Sequence, residues 1–211
     1  MPPLMFLYKA VRKLWRTLLH DPFCHVATKV MMRGNGVVYE SISTNGIPIV
    51  AVDRKKRSGI TIGRNLRMNN GNADNCIGFP ARCTLIAADG GHIRIADNVG
   101  MSQAALCAME ADITIGSHTL LGGGVKIYSS DFHSLNYLDR RDYDIADKEN
   151  CRSALVVIGC DCFIGAGSII LKGVTIGDRT IIAAGSVVTK SIPADCIAGG
   201  NPARVIRSNI N

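Results

Sequence analysis

The sequence predicts an all-β solenoid, a coil of short parallel strands, and three observations carry that expectation. Aliphatic residues recur every six positions from Ile158 through Ile164, Ile170, Ile176 and Ile182 to Val188. Mostly small residues follow them, as at Gly159, Gly165, Gly177 and Ala183. Compact side chains stand four positions after each: Cys162, Ser168, Val174, Thr180, Ser186 and Ile192. A period of six lines neither one face of an α-helix nor one face of a flat strand. It points one side chain inward per side of a polygonal coil, and three sides make a turn. The small residues then suit the corners and the compact ones a narrow interior.

Along the chain, residues 1–59 read as a helical and capping segment. Leu7, Val11, Leu14 and Leu18 fall at helical spacing within Leu4–Leu19, leaving Lys9, Arg12, Lys13 and Arg16 for the opposite side. Such a helix caps the open end of the coil or packs on a neighbouring subunit, and peripheral contact with an acidic membrane surface is its sharper role. The coil is expected over 60–192. Its register returns upstream at Ile115, Leu121 and Ile127 and, less regularly, at Ile77, Cys83 and Ile95, with a two-residue slip between Ile95 and Ile115. Residues 129–156 lose the rhythm and are largely polar, which marks a long inserted loop and the first place to look for chemistry. Residues 193–211 close the coil, with Pro193 and Gly199–Arg204 breaking the period and Val205–Arg207 starting a short final element.

With 211 residues, 47% of them hydrophobic, the chain has material for one principal core. Aromatic residues at 5% beside 22 glycines fit a fold of many tight turns. The net charge of +7 belongs to the N-terminal third, where residues 1–67 hold 12 Lys and Arg against 3 Asp and Glu. Neither Lys9/Arg12/Lys13/Arg16 nor Arg54/Lys55/Lys56/Arg57 comes with a zinc-finger or helix-turn-helix signature, so nucleic acid is set aside. The eight cysteines are scattered, without a Cys-x-x-Cys pair, and read as small core residues of a cytoplasmic protein. Basic residues interrupt the opening stretch before it reaches the length of an export signal or a membrane span.

Imidazole is suited to proton transfer near neutral pH, and the chain offers His20, His25, His92, His118 and His133. On the residues alone a lone loop histidine such as His133 is more often an ordinary surface residue than a base. The repeats ITIG and IGDRT, the run IGAGSIILKGVTIGDRTIIAAGSVVTKSIP and the segment GGNPARVIR resemble the hexapeptide-repeat acetyltransferases, and within them the galactoside and maltose O-acetyltransferase group. The likeness is dense over Ile158–Arg207, fair over Ile60–Ile127 and absent from the first fifty residues. It implies a left-handed parallel β-helix, a homotrimer with active sites between subunits, acetyl-CoA as donor, no metal, and a sugar or saccharide hydroxyl as acceptor.

The resemblance also implies roles. His133 becomes the catalytic base, because Ile127-Tyr128-Ser129-Ser130-Asp131-Phe132-His133 is similar to the segment that carries the family's histidine, with one residue more between tyrosine and histidine. Asp131 or a backbone carbonyl would orient it. Gln103 and Glu110 stand where the family places an acceptor-binding asparagine and aspartate. Phe163 replaces a frequent tryptophan beside the thioester, Ala166 and Ala184 line the pantetheine arm, and Thr189, Lys190, Arg204 and Arg207 lie near the nucleotide. His133 would take the acceptor proton as its oxygen attacks the thioester, a backbone N–H would hold the oxyanion, and no acyl-enzyme would form. Rival readings are an N-acetyltransferase of an amino sugar, a serine or antibiotic acetyltransferase, a zinc enzyme on the same coil, and a scaffold without activity. His92, His118 and His133 lack an obvious three-ligand spacing for zinc.

Overall fold

Every aliphatic residue of the six-residue series is buried: Ile158, Ile164, Ile170, Ile176, Ile182 and Val188 are all at most 1% exposed. In the computed structural model, which describes residues 3–71, 81–141 and 145–208, these side chains point into the centre of a parallel β-helix. Six coils each supply one strand to each of three sheets. The first coil holds β1 (Val38–Tyr39), β2 (Ile42–Asn45) and β3 (Ile49–Val52), and the second β4 (Gly59–Ile62), β5 (Leu66–Asn69) and β6 (Thr84–Ala88). The third holds β7 (His92–Ile95), β8 (Gly100–Ser102) and β9 (Ala105–Met109), and the fourth β10 (Ile113–Ile115), β11 (Leu120–Leu121) and β12 (Lys126–Tyr128). The fifth comprises β13 (Val156–Ile158), β14 (Phe163–Ile164) and β15 (Ile169–Ile170), and the sixth β16 (Thr175–Ile176), β17 (Ile181–Ile182) and β18 (Val187–Val188).

Stacking sets the spacing. Ile158 stands beside Ile176 and Ile164 beside Ile182, 18 residues apart in each case, which is three sides of six. Ile95 stands beside Ile115, 20 residues on, so the two-residue slip is one slightly longer turn of an unbroken coil. Each buried aliphatic side chain contributes roughly 1.5–3 kcal/mol over its exposed state, and the stack runs without a gap from Met32 to Ala203. The compact positions are buried too, and their hydroxyls stitch coil to coil: Thr119 donates to the Gly159 carbonyl at 2.8 Å and Thr180 to that of Pro193 at 2.7 Å.

Two kinds of corner position recur. At Gly165 an added Cβ would lie 2.5 Å from the Ala184 nitrogen of the next coil, so the residue after the inward aliphatic is small because coils touch there. Three positions after the aliphatic the backbone is left-handed, at Asp161, Gly167, Gly173, Arg179 and Gly185. Only some of these are glycine, which hides this second regularity from a reading of residue types.

The boundaries differ from the sequence expectation in two places. The parallel ladder begins at Val38, not near residue 60, because β1 already pairs with β4, β2 with β5 and β3 with β6. Ile49 stands beside Thr84, 35 residues on, and this length of turn erases the six-residue rhythm. Ile77 lies outside the described residues. The N-terminal helix also runs further than Leu19: α1 (Pro3–Trp15) continues through a π-helical turn (Arg16–His20) into α2 (Asp21–Gly34). Met32 joins the core and α2 packs against β2, so α2 is the cap on the first coil. At the other end β19 (Cys196–Gly200) stacks on β17 and pairs antiparallel with β20 (Ala203–Ser208), the expected closing element.

Candidate active site on the inserted loop

The loop leaves the coil after Tyr128 and returns at Val156. Its neck is pinched by an antiparallel bridge between Ser130 and Ser153 and by two backbone bonds, Asp131 N–H to the Arg152 carbonyl at 3.0 Å and Ala154 N–H to that of Ser129 at 2.8 Å. Two short helices, α3 (Tyr137–Arg140) and α4 (Ile145–Glu149), stiffen its far part. The Asn136 side chain accepts from the Leu138 N–H and caps α3.

His133 projects from this loop and is 54% exposed at its side chain. Its Nδ1 lies 2.6 Å from Oδ2 of Asp147, whose side chain is only 7% exposed. Oδ1 of the same carboxylate accepts the Ser134 N–H at 2.7 Å. The bond from His133, then that from Ser134, holds the Asp147 carboxyl below the usual carboxylate range against the opposing effect of burial. An ionised acceptor at Nδ1 keeps the proton on that nitrogen, which leaves the lone pair on Nε2. Around the pair, Ser134 donates its hydroxyl to Asp139 at 2.7 Å, Asn150 reaches the same carboxylate at 3.0 Å, and Arg140 donates to the Ser134 carbonyl. Fixing the imidazole by such a network is what a general base needs.

Asp131 is not the partner of His133. Its Oδ1 accepts Lys172 Nζ at 2.6 Å, and its Oδ2 is buried without a hydrogen-bond partner among the described residues. The left-handed φ of 66° at Phe132, between the two, goes with the divergence, and Phe132 meets the Tyr128 ring edge-on at a centroid distance of 5.3 Å. Nor, among the described residues, does a backbone carbonyl orient Nδ1. No spacing rule picks Asp147 out, since it lies on a separate short helix of a loop rich in aspartate; Ser134, Asp139, Arg140 and Lys172 were missed for the same reason.

The other expected site residues are dispersed over the coil. Gln103 is a buried corner at φ 49°, and Glu110, a corner at φ 60°, accepts the Ser153 hydroxyl at 2.9 Å and so braces the loop neck. Phe163 is 47% exposed on β14, in register with the exposed Leu120 of β11. Ala166 and Ala184 occupy equivalent corners of successive coils, and the Ala166 carbonyl accepts the Gly185 N–H at 2.8 Å. Thr189, Lys190, Arg204 and Arg207 are exposed at the C-terminal end, where Arg204 also reaches the Ala203 carbonyl at 2.9 Å.

A groove of about 590 Å³ lies on the outside of the sheet that carries β2, β5, β8 and β11. It is lined by Ser41, Asn65, Arg67, Asn98, His118 and Leu120 among others, and by no described residue of the inserted loop. His133 is therefore not walled in by this groove. Burial pushes the Cys83 thiol up to about 11 and raises Cys162 as well, so neither is a ready thiolate nucleophile. Among the described residues no three His, Cys, Asp or Glu side chains converge as metal ligands.

A coil of six-residue sides, with a histidine–aspartate pair on a loop inserted between two of its turns, defines a solenoid of the transferase type. A profile of the family described as "Bacterial transferase hexapeptide (six repeats)" matches residues 155–190. Galactoside O-acetyltransferase of Escherichia coli is 38% identical over 95 residues, 45% of this chain and 43% of the relative. The putative colanic acid biosynthesis acetyltransferase WcaF of the same organism is 31% identical over 127 residues, 56% of this chain and 70% of the relative. A crystal structure of a variant of AntD, an N-acyltransferase from Bacillus cereus in complex with an amino-sugar nucleotide and coenzyme A, superposes with a TM-score of 0.64 at 20% identity over 85% of this chain and 88% of that one, a likeness of fold. The chain belongs to the hexapeptide-repeat transferases, and its coil is a left-handed parallel β-helix. It spans less than half of the galactoside O-acetyltransferase it matches.

Proposed function

We propose that the protein transfers the acetyl group of acetyl-CoA to a hydroxyl of a saccharide or saccharide precursor, with His133 as general base and Asp147 as its positioning residue. The observation that carries this reading is the 2.6 Å contact between a buried, ionised carboxylate and Nδ1 of an exposed imidazole. Nε2 accepts the acceptor's hydroxyl proton while the oxygen attacks the thioester carbonyl. A backbone N–H holds the oxyanion, the carbon–sulfur bond then breaks, and the imidazolium returns the proton to the CoA thiolate. Such a base contributes about 10²–10⁴-fold. The raised thiols of Cys83 and Cys162 favour this direct transfer over an acyl-enzyme. A saccharide acceptor is supported by the galactoside and colanic acid relatives, and Gln103 and Glu110 are its candidate contacts.

The donor lies along the C-terminal coils, its arm past Phe163, Ala166 and Ala184 and its phosphates near Thr189, Lys190, Arg204 and Arg207. Three copies assemble so that the loop of one faces these coils of the next. The exposed, in-register pair Leu120 and Phe163 gives apolar area for that contact, and the exposure of His133 in a single chain fits a site completed by a neighbour.

The test is acceptor-dependent release of CoA thiol over a panel of sugars, amino sugars and serine, in wild type and His133→Ala. Release with sugars that collapses in the variant supports the reading. Release that survives the substitution removes His133 from the chemistry, and release confined to amino acceptors makes this an N-acetyltransferase.

A further inference from the structure

Seven apolar side chains, Leu7, Val11, Leu14, Leu18, Phe23, Val26 and Val30, run along the N-terminal helix, and each is 58–66% exposed. Consecutive members are three or four residues apart, the steps that keep a stripe on one face of an α-helix. The exception is the five-residue step from Leu18 to Phe23, which on a regular α-helix turns the stripe away by roughly 140°. The π-helical turn over Arg16–His20 lies at this step, and its wider i to i+5 turn takes up the extra residue. The stripe therefore passes from α1 into α2 unbroken. In α2 it stands opposite Cys24, Thr28 and Met32, the side chains buried toward the coil, so it faces away from the rest of the protein.

The opposite side of α1 carries Lys9, Arg12, Lys13 and Arg16, and no acidic residue precedes Asp21. Tyr8 and Trp15, both exposed, stand on the flank between the apolar and basic sides, where an amphipathic ring suits a wet boundary. No described helix is long and apolar enough to cross a membrane. A second copy packed stripe to stripe would gather two such sets of cations, and the carboxylate at hand, Asp21, already lies 3.9 Å from Arg16 and 2.9 Å from His20. An anionic surface supplies both the apolar layer and the countercharge.

We infer that α1, the π-helical turn and the outer face of α2 form a docking helix for an anionic lipid bilayer, with the stripe in the interfacial layer and Lys9, Arg12, Lys13 and Arg16 among the headgroup phosphates. This goes beyond acetyl transfer and does not depend on it.

Co-sedimentation of the full chain with vesicles of phosphatidylcholine alone, or with a third of phosphatidylglycerol, tests the inference, with size and light scattering recorded in solution. The expected result is binding to anionic vesicles that weakens in high salt and is lost in Leu7→Asp/Leu14→Asp at unchanged oligomer size. Arg12→Gln/Lys13→Gln should lower the partition by about fivefold per cation, about 25-fold together. A wild type that stays in the supernatant overturns the inference, as does binding indifferent to both variants. Loss of the oligomer in the leucine variant without vesicle binding by the wild type makes the stripe a contact between subunits. CoA release on a soluble acceptor should be the same in wild type and Leu7→Asp/Leu14→Asp, so failure here and failure of the acetyl-transfer reading are separable.

Discussion

Asp147 follows His133 by 14 residues and reaches back to hold both its ring and the next peptide N–H, at 2.6 and 2.7 Å. One buried carboxylate thus fixes the imidazole's direction and the backbone that carries it. Removing the ring and removing its partner should have different signatures.

His133→Ala is expected to lower kcat by at least 100-fold with little change in KM for acetyl-CoA. Asp147→Asn should cost about 10–100-fold, because the ring remains but loses its orienting acceptor. Asp131→Asn should leave kcat within about threefold, since its carboxylate faces Lys172. Steady-state CoA release separates the three.

Acid should loosen the loop before the coil. The Asp147 carboxyl is depressed in the folded protein, so its contribution is fully present above the unfolded value of about 3.9 and is lost as pH falls through the lower folded value. Limited proteolysis between pH 6 and 3 should show cleavage within 129–155 appearing only at the acid end. Asp147→Asn should be cleaved there across the whole range.

Lys172 and Asp131 make a partly buried pair, with side chains 26% and 23% exposed. Lys172→Met leaves the carboxylate without its cation and should lower unfolding stability by about 1–3 kcal/mol in urea titrations. Adding Asp131→Asn should restore part of the loss, giving a coupling that two independent sites would lack.

The two corner types should differ in how much substitution costs. Gly165→Ala drives a methyl into the backbone of the next coil and is expected to cost about 3 kcal/mol. Gly185→Asn meets nothing within 4 Å and asks only for a left-handed residue, which asparagine tolerates, so its cost should stay below about 1 kcal/mol. Thermal unfolding of the two variants decides this.

The coil was legible where its turns are 18 residues long, because Ile158, Ile164 and their successors then repeat in step with the chain. The first coil was not, because Ile42, Val50 and Ile60 are unevenly spaced along the sequence although each is buried. The spacing of Leu7, Val11, Leu14 and Leu18 signalled an amphipathic helix, but the five-residue step from Leu18 to Phe23 disguised its continuation into α2. At the candidate site, the tyrosine segment that precedes it pointed to His133. Asp147 was not, because its approach depends on how α4 folds back across the loop, which no local pattern encodes.

The pinched neck at Ser130 and Ser153 makes the loop a side branch of the solenoid. Lys126 and Ile127 pair with β15, and Val156–Ile158 with β10 and β16, through contacts the branch does not enter. Lengthening such a branch costs only the slow logarithmic entropy of closing a longer ring, about 0.6 kcal/mol per doubling. The loop is thus an exchangeable cassette: evolution or an engineer can replace it whole, His133 and Asp147 with it, while the column of stacked isoleucines goes on folding as before.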